Sequence, residues 1–374
     1  GVWGLSLLTL VLMASPAAIE DSRPGLGAPG GAIGRVAPVI LSALTFGLIW
    51  GWGSHRLHDA EEAGTGQMLR LVDVGPAQGE KFKPETRPKV LRRYLELTEA
   101  DNGKLPRIVI WPEGALPYWL LQQPDALEPV TALLGSRRLI VGTSFLDNTD
   151  VKQRAYNTLS VLSQDSSYAG ALAIYYKHRL VPFGEMVPFR GLASRVGIQT
   201  LQEIASMGFH AGPPPASVSV EGIPDFQPLI CYEALFSGLL PRRSHSGGDE
   251  ALGFEARPEW IVNISIDSWF GPLWAPRQHM EHARYRSIEE GLPMARVASR
   301  GVTGVVDSYG RQTALAKAPD VSQFGTDPDG WRGRVLDAEL PQALPPTLFS
   351  RYRWLAVLLL LGVVGAATVS LPRN

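Results

Sequence analysis

Three stretches of the sequence each place one chemically reactive side chain directly after an apolar run. Glu113 follows RIVIWP, Lys177 follows ALAIYY, and Cys231, which is the only cysteine, follows PLI. A carboxylate, an ammonium group and a thiol that converge on one point can carry out nucleophilic acyl chemistry. The carboxylate takes the thiol proton, the cation stabilises the oxyanion, and the sulfur attacks. A nearby lysine also favours the nucleophilic thiolate.

Each of the three residues also has an ordinary structural interpretation. A cysteine without a disulfide partner is often buried as a small hydrophobic residue. Glu113 fits a solvated loop carboxylate, and Lys177 fits a surface lysine beside His178 and Arg179. The chemical interpretation therefore depends on the three residues being brought together, which we expect because the ends of three strands of one sheet can converge on one point.

The hydrophobic pattern predicts such strands. Short apolar runs bounded by proline or glycine indicate buried strands, and apolar residues at helical spacing indicate amphipathic helices. Their mixture predicts a layered α/β domain over residues 67–351. The predicted strands are residues 68–74, 107–111, 139–144, 156–162, 171–176, 227–230, 260–264, 294–298 and 303–307, and the predicted helices are residues 84–100, 125–134 and 281–290.

Uncharged apolar runs flank this domain on both sides. Residues 1–19 and 36–53 predict two transmembrane helices within residues 1–53, and residues 354–371 predict a third. Trp50 and Trp52 at the end of the second run suit a membrane interface. The alternative is that the first two runs form buried core helices. Because the chain begins at Gly1 inside an apolar run, we expect it to be a piece of a longer protein.

The charges beside these runs predict an orientation. Arg23 and Arg35 lie between the first two runs, and Arg373 follows the last one. If each run spans once, these arginines share one side, which the positive-inside tendency identifies as cytoplasmic. The large domain is then predicted to lie outside the cytoplasm.

The composition of the chain argues against nucleic-acid and metal ligands. The 374 residues carry a formal net charge of -1, which gives no support to a nucleic-acid partner. A single cysteine excludes an intramolecular disulfide and a cysteine-based metal cluster. His279 and His282, three residues apart, are interpreted as a solvated or capping pair. We therefore predict neither a metal site nor a cofactor.

Four phrases, in the order WPEGALP, KHRLVPFGEMVPF, LICYEALF and NISIDSWFG, resemble the nitrilase superfamily of carbon-nitrogen hydrolases. Together with the flanking apolar runs, they resemble in particular its apolipoprotein N-acyltransferase family. The resemblance implies a nitrilase-like α-β-β-α sandwich flanked by transmembrane helices. It implies a bacterial inner-membrane location with the catalytic domain on the periplasmic side.

The resemblance also implies a role for each reactive residue. Glu113 is expected to be the general base and then the general acid. Lys177, with the backbone N–H just after the cysteine, is expected to stabilise the oxyanion, and Cys231 to hold the acyl chain of a phospholipid as a thioester. The acceptor is then the N-terminal amine of a diacylglyceryl-modified apolipoprotein. Further expected site residues are Glu185, which orients Lys177, and Tyr232 and Glu233, which support the nucleophile.

Several positions bear on the entrance for lipid. The aromatic loops at residues 117–120 and 269–274 are expected to admit the acyl chain, with Trp119, Trp269 and Phe270 as substrate-binding residues; the alternative is that they pack within the domain. The chain departs from the family pattern at Gly114, where serine or threonine is usual, at Ile266, where asparagine is usual, and at Phe82, where tryptophan is common. The family also has further membrane helices before the first one found here.

Two rival functions remain open from the sequence. One is a membrane-anchored carbon-nitrogen hydrolase, of the amidase or nitrilase type, that uses water in place of an amine. The other is a catalytically inert membrane scaffold that keeps the fold. The intact set of Glu113, Lys177 and Cys231 argues against the scaffold, and the flanking apolar runs favour the transferase over the hydrolase.

Overall fold

A computed structural model describes residues 1–20, 31–60, 63–76, 79, 81–100, 106–148, 153–167, 170–186, 208–239, 257–271, 273–316, 331 and 333–352. The predicted membrane segment at residues 354–371 and the last residues of the phrase KHRLVPFGEMVPF lie outside the described residues. The chain divides into two compact units, one formed by Gly1–Glu62 with Pro346–Asn374 and the other by Ala63–Pro345.

The first unit contains helices α1 (Val2–Ala14), α2 (Ala17–Glu20) and α3 (Gly31–His58). Among the described residues, one helical segment is long and apolar enough to cross a membrane, namely Val36–His58 within α3. Helix α1 is apolar but has only 13 residues, and it ends just before Pro16, which cannot continue the helical hydrogen bonding. The span predicted at residues 1–19 therefore stays a prediction.

Within its described residues, the second unit contains two six-stranded sheets and three α-helices. In chain order the elements are β1 (Gly64–Asp73), α4 (Arg87–Glu99), β2 (Ile108–Trp111), α5 (Pro124–Leu134), β3 (Arg138–Asp147), β4 (Arg154–Leu162), β5 (Ala173–Tyr176), β6 (Val218–Val220), β7 (Ile223–Ile230), β8 (Trp260–Ile266), α6 (Ala275–Glu290), β9 (Met294–Ser299), β10 (Gly304–Val306), β11 (Gln312–Leu315) and β12 (Arg334–Pro341). Short 3₁₀ helices span Leu120–Gln122, Cys231–Leu235 and Asp267–Phe270.

The two sheets share one pattern of strand directions. The first has the order β12-β1-β2-β3-β4-β5 and the second β11-β10-β9-β8-β7-β6. Each has three neighbouring parallel strands, β1-β2-β3 and β7-β8-β9, flanked by antiparallel ones. Two antiparallel steps make β5 run parallel to β3. The carboxyl ends of β2 and β5 therefore lie at the same edge of the first sheet.

Hydrophobic packing arranges these elements in four layers. The main core lies between the sheets and contains Leu71 and Ile110 from the first and Phe226 and Val262 from the second. The outer face of the first sheet packs against α4 and α5, and the outer face of the second packs against α6. The predicted α-β-β-α sandwich is confirmed.

Strands β6, β11 and β12 were not predicted from the sequence. Each pairs with one neighbour at the margin of its sheet, so its side chains are only partly buried. A half-exposed edge strand mixes polar and apolar residues and lacks the continuous apolar run that identifies a central parallel strand.

Candidate active site

The structure brings together the three residues singled out by the sequence. Glu113 follows β2, Lys177 follows β5, and Cys231 follows β7 of the other sheet, so the expectation that all three strands belong to one sheet is wrong. The residues meet because the two sheets pack face to face. The Lys177 Nζ donates a hydrogen bond of 3.1 Å to Glu113 Oε1. The Cys231 thiol lies close enough to both for each charge to act on its pKa. A carboxylate, an ammonium group and a thiol therefore share one buried point between the sheets.

Lys177 is held by two carboxylates. Its side chain is 1% exposed, and Nζ also donates to Glu185 Oε1 at 2.9 Å. Burial alone would lower the pKa of Lys177, but the charges of Glu113, Cys231 and Glu185 raise it above its usual value. The ammonium group therefore stays protonated and can act as a fixed positive charge.

Asn157, on β4, was not predicted as a site residue. Its amide Nδ2 donates to Glu113 Oε1 at 2.7 Å and to Glu185 Oε1 at 2.8 Å. The other oxygen of Glu185 accepts from the backbone N–H of Val181 at 2.9 Å. These bonds fix the two carboxylates around the ammonium group of Lys177. The available signal was a polar residue inside a buried strand, because such a residue needs a hydrogen-bond partner.

The backbone around Glu113 connects the two sheets. Glu113 Oε2 accepts a hydrogen bond of 3.0 Å from the backbone N–H of Ile266, at the end of β8. Strand β3 passes so near that a Cβ added at Gly142 would lie 2.4 Å from the Glu113 Cα. A side chain at residue 142 would displace the carboxylate, so glycine is required there.

Two departures from the family pattern are neighbours in space. Gly114 has a φ of +50°, a conformation that favours glycine. A Cβ added there would lie 3.2 Å from the Cδ1 of Ile266. The small residue at position 114 and the large one at 266 therefore fit each other.

Beside Gly114 lies a second buried lysine, Lys81, which the sequence did not indicate. Its Nζ donates to the Gly114 carbonyl at 2.8 Å and lies 5.1 Å from the centre of the Phe82 ring. Burial lowers the pKa of Lys81 to about 8, although the Glu113 carboxylate opposes the shift. Lys81 therefore fixes the backbone that follows Glu113.

Cys231 begins a 3₁₀ helix directly after β7, in a left-handed conformation with φ 50°. Such a conformation costs an L-residue roughly 1–2 kcal/mol and marks a sharp turn from strand to helix. Burial and the Glu113 carboxylate raise the pKa of the thiol to about 12, while Lys177 and the Ser265 hydroxyl oppose the shift. Lys177 thus acts in the predicted direction but is outweighed. The resting sulfur is a thiol and needs a base.

Glu233 holds the cysteine turn against the lysine segment. Its Oε1 accepts from the Tyr175 hydroxyl at 3.0 Å and from the backbone N–H groups of His178 and Arg179 at 2.8 and 3.1 Å. Its Oε2 accepts from the backbone N–H of Ile230 at 2.9 Å. Burial raises the pKa of Glu233, although these hydrogen bonds oppose the shift. The supporting position predicted for Glu233 agrees with these contacts.

A buried polar network lies behind Cys231. Asp267 Oδ1 accepts from the Ser265 hydroxyl at 2.7 Å and lies 2.9 Å from His279 Nδ1, while Oδ2 accepts from Arg296 at 2.8 Å. Burial alone would raise the pKa of Asp267, but Arg296 and His279 hold it at about 2. The interpretation of His279 as a solvated or capping residue is wrong, because it is 3% exposed and belongs to this network.

The two aromatic loops differ in exposure. In the first, Leu120 is fully buried, Tyr118 packs on the core, and Trp119 is half-buried, so this loop largely follows the alternative of packing within the domain. In the second, Trp269 is 64% and Phe270 46% exposed. Leu273 and Trp274 in the same loop are also exposed.

Tyr232, next to the nucleophile, packs edge-on against Phe236, with ring centres 4.9 Å apart.

Within the described part of the chain, no group of three or more histidine, cysteine, aspartate or glutamate side chains is arranged to hold a metal ion. The groups at this site that can act on a substrate include the thiol, the ammonium group, the carboxylates and the backbone N–H groups of the cysteine turn. This set can take a proton, form a covalent bond to an acyl carbon and stabilise an oxyanion.

The chain is similar to known proteins over most of its length. Residues 74–343 match the carbon-nitrogen hydrolase family. The apolipoprotein N-acyltransferase of Bradyrhizobium diazoefficiens is 34% identical over 362 residues, which cover 94% of this chain and 61% of that protein. The one from Rhodopseudomonas palustris is 31% identical over 380 residues, 97% of this chain and 64% of that protein. The chain thus spans less than two thirds of the length of these relatives.

Among solved structures, an amidase from Nesterenkonia sp. is similar over 74% of this chain and 91% of that chain, with 15% identity and a TM-score of 0.44.

Proposed function

The chain belongs to the carbon-nitrogen hydrolase family, and we propose that it acts as an apolipoprotein N-acyltransferase. It would move an acyl chain from a phospholipid, through a thioester on Cys231, to the N-terminal amine of a diacylglyceryl-modified apolipoprotein. The observation that carries the proposal is the convergence of Glu113, Lys177 and Cys231 at one buried point. The similarity to named apolipoprotein N-acyltransferases over nearly the whole chain supports the choice of substrates.

The first half-reaction forms the thioester. Glu113 takes the proton of the Cys231 thiol as the sulfur attacks the ester carbonyl carbon of the phospholipid. The oxyanion receives the positive charge of Lys177 and a hydrogen bond from the Tyr232 backbone N–H. When the C–O bond breaks, Glu113 returns the proton to the leaving alkoxide, and a lysophospholipid departs. Because the resting sulfur is a thiol with a pKa of about 12, proton removal must accompany attack.

The second half-reaction transfers the acyl chain. The α-amine of the acceptor attacks the thioester carbonyl, and Glu113 takes a proton from the nitrogen. The C–S bond then breaks, and the sulfur recovers a proton from Glu113, so the product is an amide and the thiol is regenerated. All transferred atoms come from the two substrates, so the balanced reaction calls for no cofactor. Glu185 and Glu233 keep Lys177 and the cysteine turn in position.

The donor is a membrane lipid, so we propose that the protein is a membrane enzyme of the bacterial inner membrane with its catalytic domain on the periplasmic side. In this proposal residues 1–53 and 354–371 are the membrane segments, and residues 67–351 form the catalytic domain. The exposed side chains of Trp269 and Phe270 would contact the acyl chain at the entrance, with Trp119 deeper in the domain. One long apolar helical segment, Val36–His58, supports the membrane assignment.

Acyl transfer to a defined acceptor tests the proposed function. The full chain, in detergent micelles containing phospholipid, is incubated with a short peptide that begins with a diacylglyceryl-modified cysteine. We expect mass spectrometry to detect a peptide heavier by one acyl chain, and no acylation of the same peptide with an acetylated N-terminus. Release of free fatty acid at an equal rate with and without the peptide would contradict transferase activity and indicate a hydrolase that uses water.

A further inference from the structure

A buried histidine connects an ion pair with the backbone of the nucleophile. His279 Nε2 lies 3.2 Å from the carbonyl oxygen of Cys231. On its other side, Nδ1 lies 2.9 Å from Asp267 Oδ1 and 3.2 Å from a guanidinium nitrogen of Arg296. Because a carbonyl oxygen can only accept a hydrogen bond, Nε2 must carry the proton in this contact. The Asp267–Arg296 ion pair thus holds a ring whose N–H points at Cys231.

This ring is held firmly in place. Asp267 and Arg296 are fully buried, and His279 is 3% exposed. The ring of Phe270 packs edge-on against the imidazole, with ring centres 5.4 Å apart. A Cβ added at Gly301 would lie 2.1 Å from Asp267 Oδ2, so the backbone itself encloses the carboxylate. A donor fixed in this way can set the orientation of the group that accepts from it.

The accepting group belongs to the peptide that also carries the proposed oxyanion donor. The Cys231 carbonyl and the Tyr232 N–H are parts of one planar trans peptide, so they point in opposite directions. Tyr232 is the second residue of the 3₁₀ helix Cys231–Leu235, and N–H groups in the first turn of a helix have no partner inside the helix. Fixing the carbonyl therefore fixes the direction of the Tyr232 N–H.

We propose that His279 is a positioning residue for the oxyanion site. Its Nε2–H holds the Cys231–Tyr232 peptide so that the Tyr232 N–H faces the oxyanion formed at Cys231. The hydrogen bond to the carbonyl also polarises the peptide and strengthens its N–H as a donor. The same contact stabilises the left-handed turn at Cys231, whose φ is 50°. This inference rests on the acyl chemistry of the proposed function, and it concerns the site rather than the identity of the substrates.

Two substitutions of His279 test the contacts of its two ring nitrogens separately. His279→Gln places an amide donor near the position of Nε2 and keeps the hydrogen bond to the Cys231 carbonyl. His279→Asn places its amide near Nδ1, so it contacts the ion pair but leaves the carbonyl without a donor. The two variants have the same polar group and differ by one methylene, so they form a matched pair.

Two reactions of the single thiol provide the readouts. Acylation by a p-nitrophenyl ester forms an oxyanion, whereas alkylation by iodoacetamide does not. We expect His279→Asn to slow acylation by roughly 10- to 100-fold, somewhat less than the 10²–10³-fold loss caused by deleting an oxyanion donor itself. Alkylation should change by less than about threefold, and His279→Gln should recover most of the acylation rate, because the donor to the peptide is kept.

Equal loss of acylation and alkylation in His279→Asn would overturn the inference, since a disturbed fold affects both reactions. Equal acylation rates in the Gln and Asn variants would overturn it as well. If His279→Asn does not fold, Asp267→Glu, which keeps the negative charge near Cys231 but displaces the ring from the other side, should show the same selective loss. Failure of the wild-type chain to acylate the lipopeptide would refute the proposed acceptor, but the contrast between the two thiol reactions would still test His279.

Discussion

Replacing Glu113 by glutamine should make Cys231 more acidic and yet abolish turnover. After burial, the negative charge of Glu113 is the largest influence that raises the pKa of the thiol to about 12. Two unit charges about 4–6 Å apart, the range over which a neighbouring charge shifts a pKa, interact by about 3–4 kcal/mol at an effective dielectric constant of about 20, which corresponds to about 2–3 pKa units. In Glu113→Gln the pKa should therefore fall to roughly 9–10, since Lys177 still favours the thiolate.

The pH dependence of alkylation measures this shift. Because Cys231 is the only cysteine, the rate of reaction with iodoacetamide reports on one thiol. For the wild type we expect the rate to rise without a plateau up to about pH 11, because the thiol has a pKa of about 12. For Glu113→Gln we expect the rate to level off just above about pH 10, because most of the sulfur is then already thiolate. Acyl transfer should fall about 10²–10⁴-fold, the usual contribution of a general base.

The matched control is Glu185→Gln. Glu185 also pairs with Lys177, but the carboxylates that chiefly raise the Cys231 pKa are Glu113 and Asp267. We expect its alkylation profile to follow that of the wild type. An unchanged or raised thiol pKa in Glu113→Gln, or a normal rate of acyl transfer, would refute the reasoning that Glu113 acts as the base.

Three further predictions concern stability. Glu233→Gln should lower the free energy of unfolding by about 1–3 kcal/mol, because its amide group would face the donating N–H of Ile230. Tyr175→Phe should lower it by only about 1 kcal/mol, because it removes one of the hydrogen bonds to Glu233. Equal losses of stability in chemical denaturation would contradict this order. Gly114→Ser should lower the free energy of unfolding, and adding Ile266→Ala should recover part of that lost stability. A double-mutant cycle in which the two effects are strictly additive would refute the contact between residues 114 and 266. The Asp267 pKa of about 2 lies below its ordinary 3.8, so this carboxylate should add about 2 kcal/mol of stability above pH 4 that is lost as the pH falls toward 2. In Asp267→Asn the stability should depend less on pH between about pH 4 and pH 2. An unchanged dependence on pH in this range would contradict the lowered Asp267 pKa.

The sequence predicted the parts of this site that directly follow apolar runs. Glu113 and Cys231 come after buried strands, and Lys177 comes after the partly buried edge strand β5. The hydrophobic pattern, which is the primary secondary-structure signal, indicated all three strands. The layered α/β domain followed from the same pattern, and the α-β-β-α order was implied by the resemblance of four phrases. The edge strand β12 was not predicted because its residues are only partly buried and form no continuous apolar run.

The remaining parts of the site depend on contacts between residues far apart in the chain. Asn157 reaches Glu113 from 44 positions away, and His279 reaches Cys231 from 48. Helical spacing indicated only that His279 and His282 share a face, and it could not show that a carboxylate and a carbonyl oxygen lie on either side of the ring. The same holds for the thiol, whose pKa is set by its depth in the folded domain more than by the lysine that the sequence suggested.

The most direct test of the central claim is intact mass spectrometry of the full chain after incubation with phospholipid in detergent. We predict a mass gain of one fatty acyl group, its release by hydroxylamine, and its absence in Cys231→Ala, because no other thiol exists in the sequence. Covalent acylation that persists in Cys231→Ala, or no mass gain in a folded wild-type chain, would contradict the thioester mechanism.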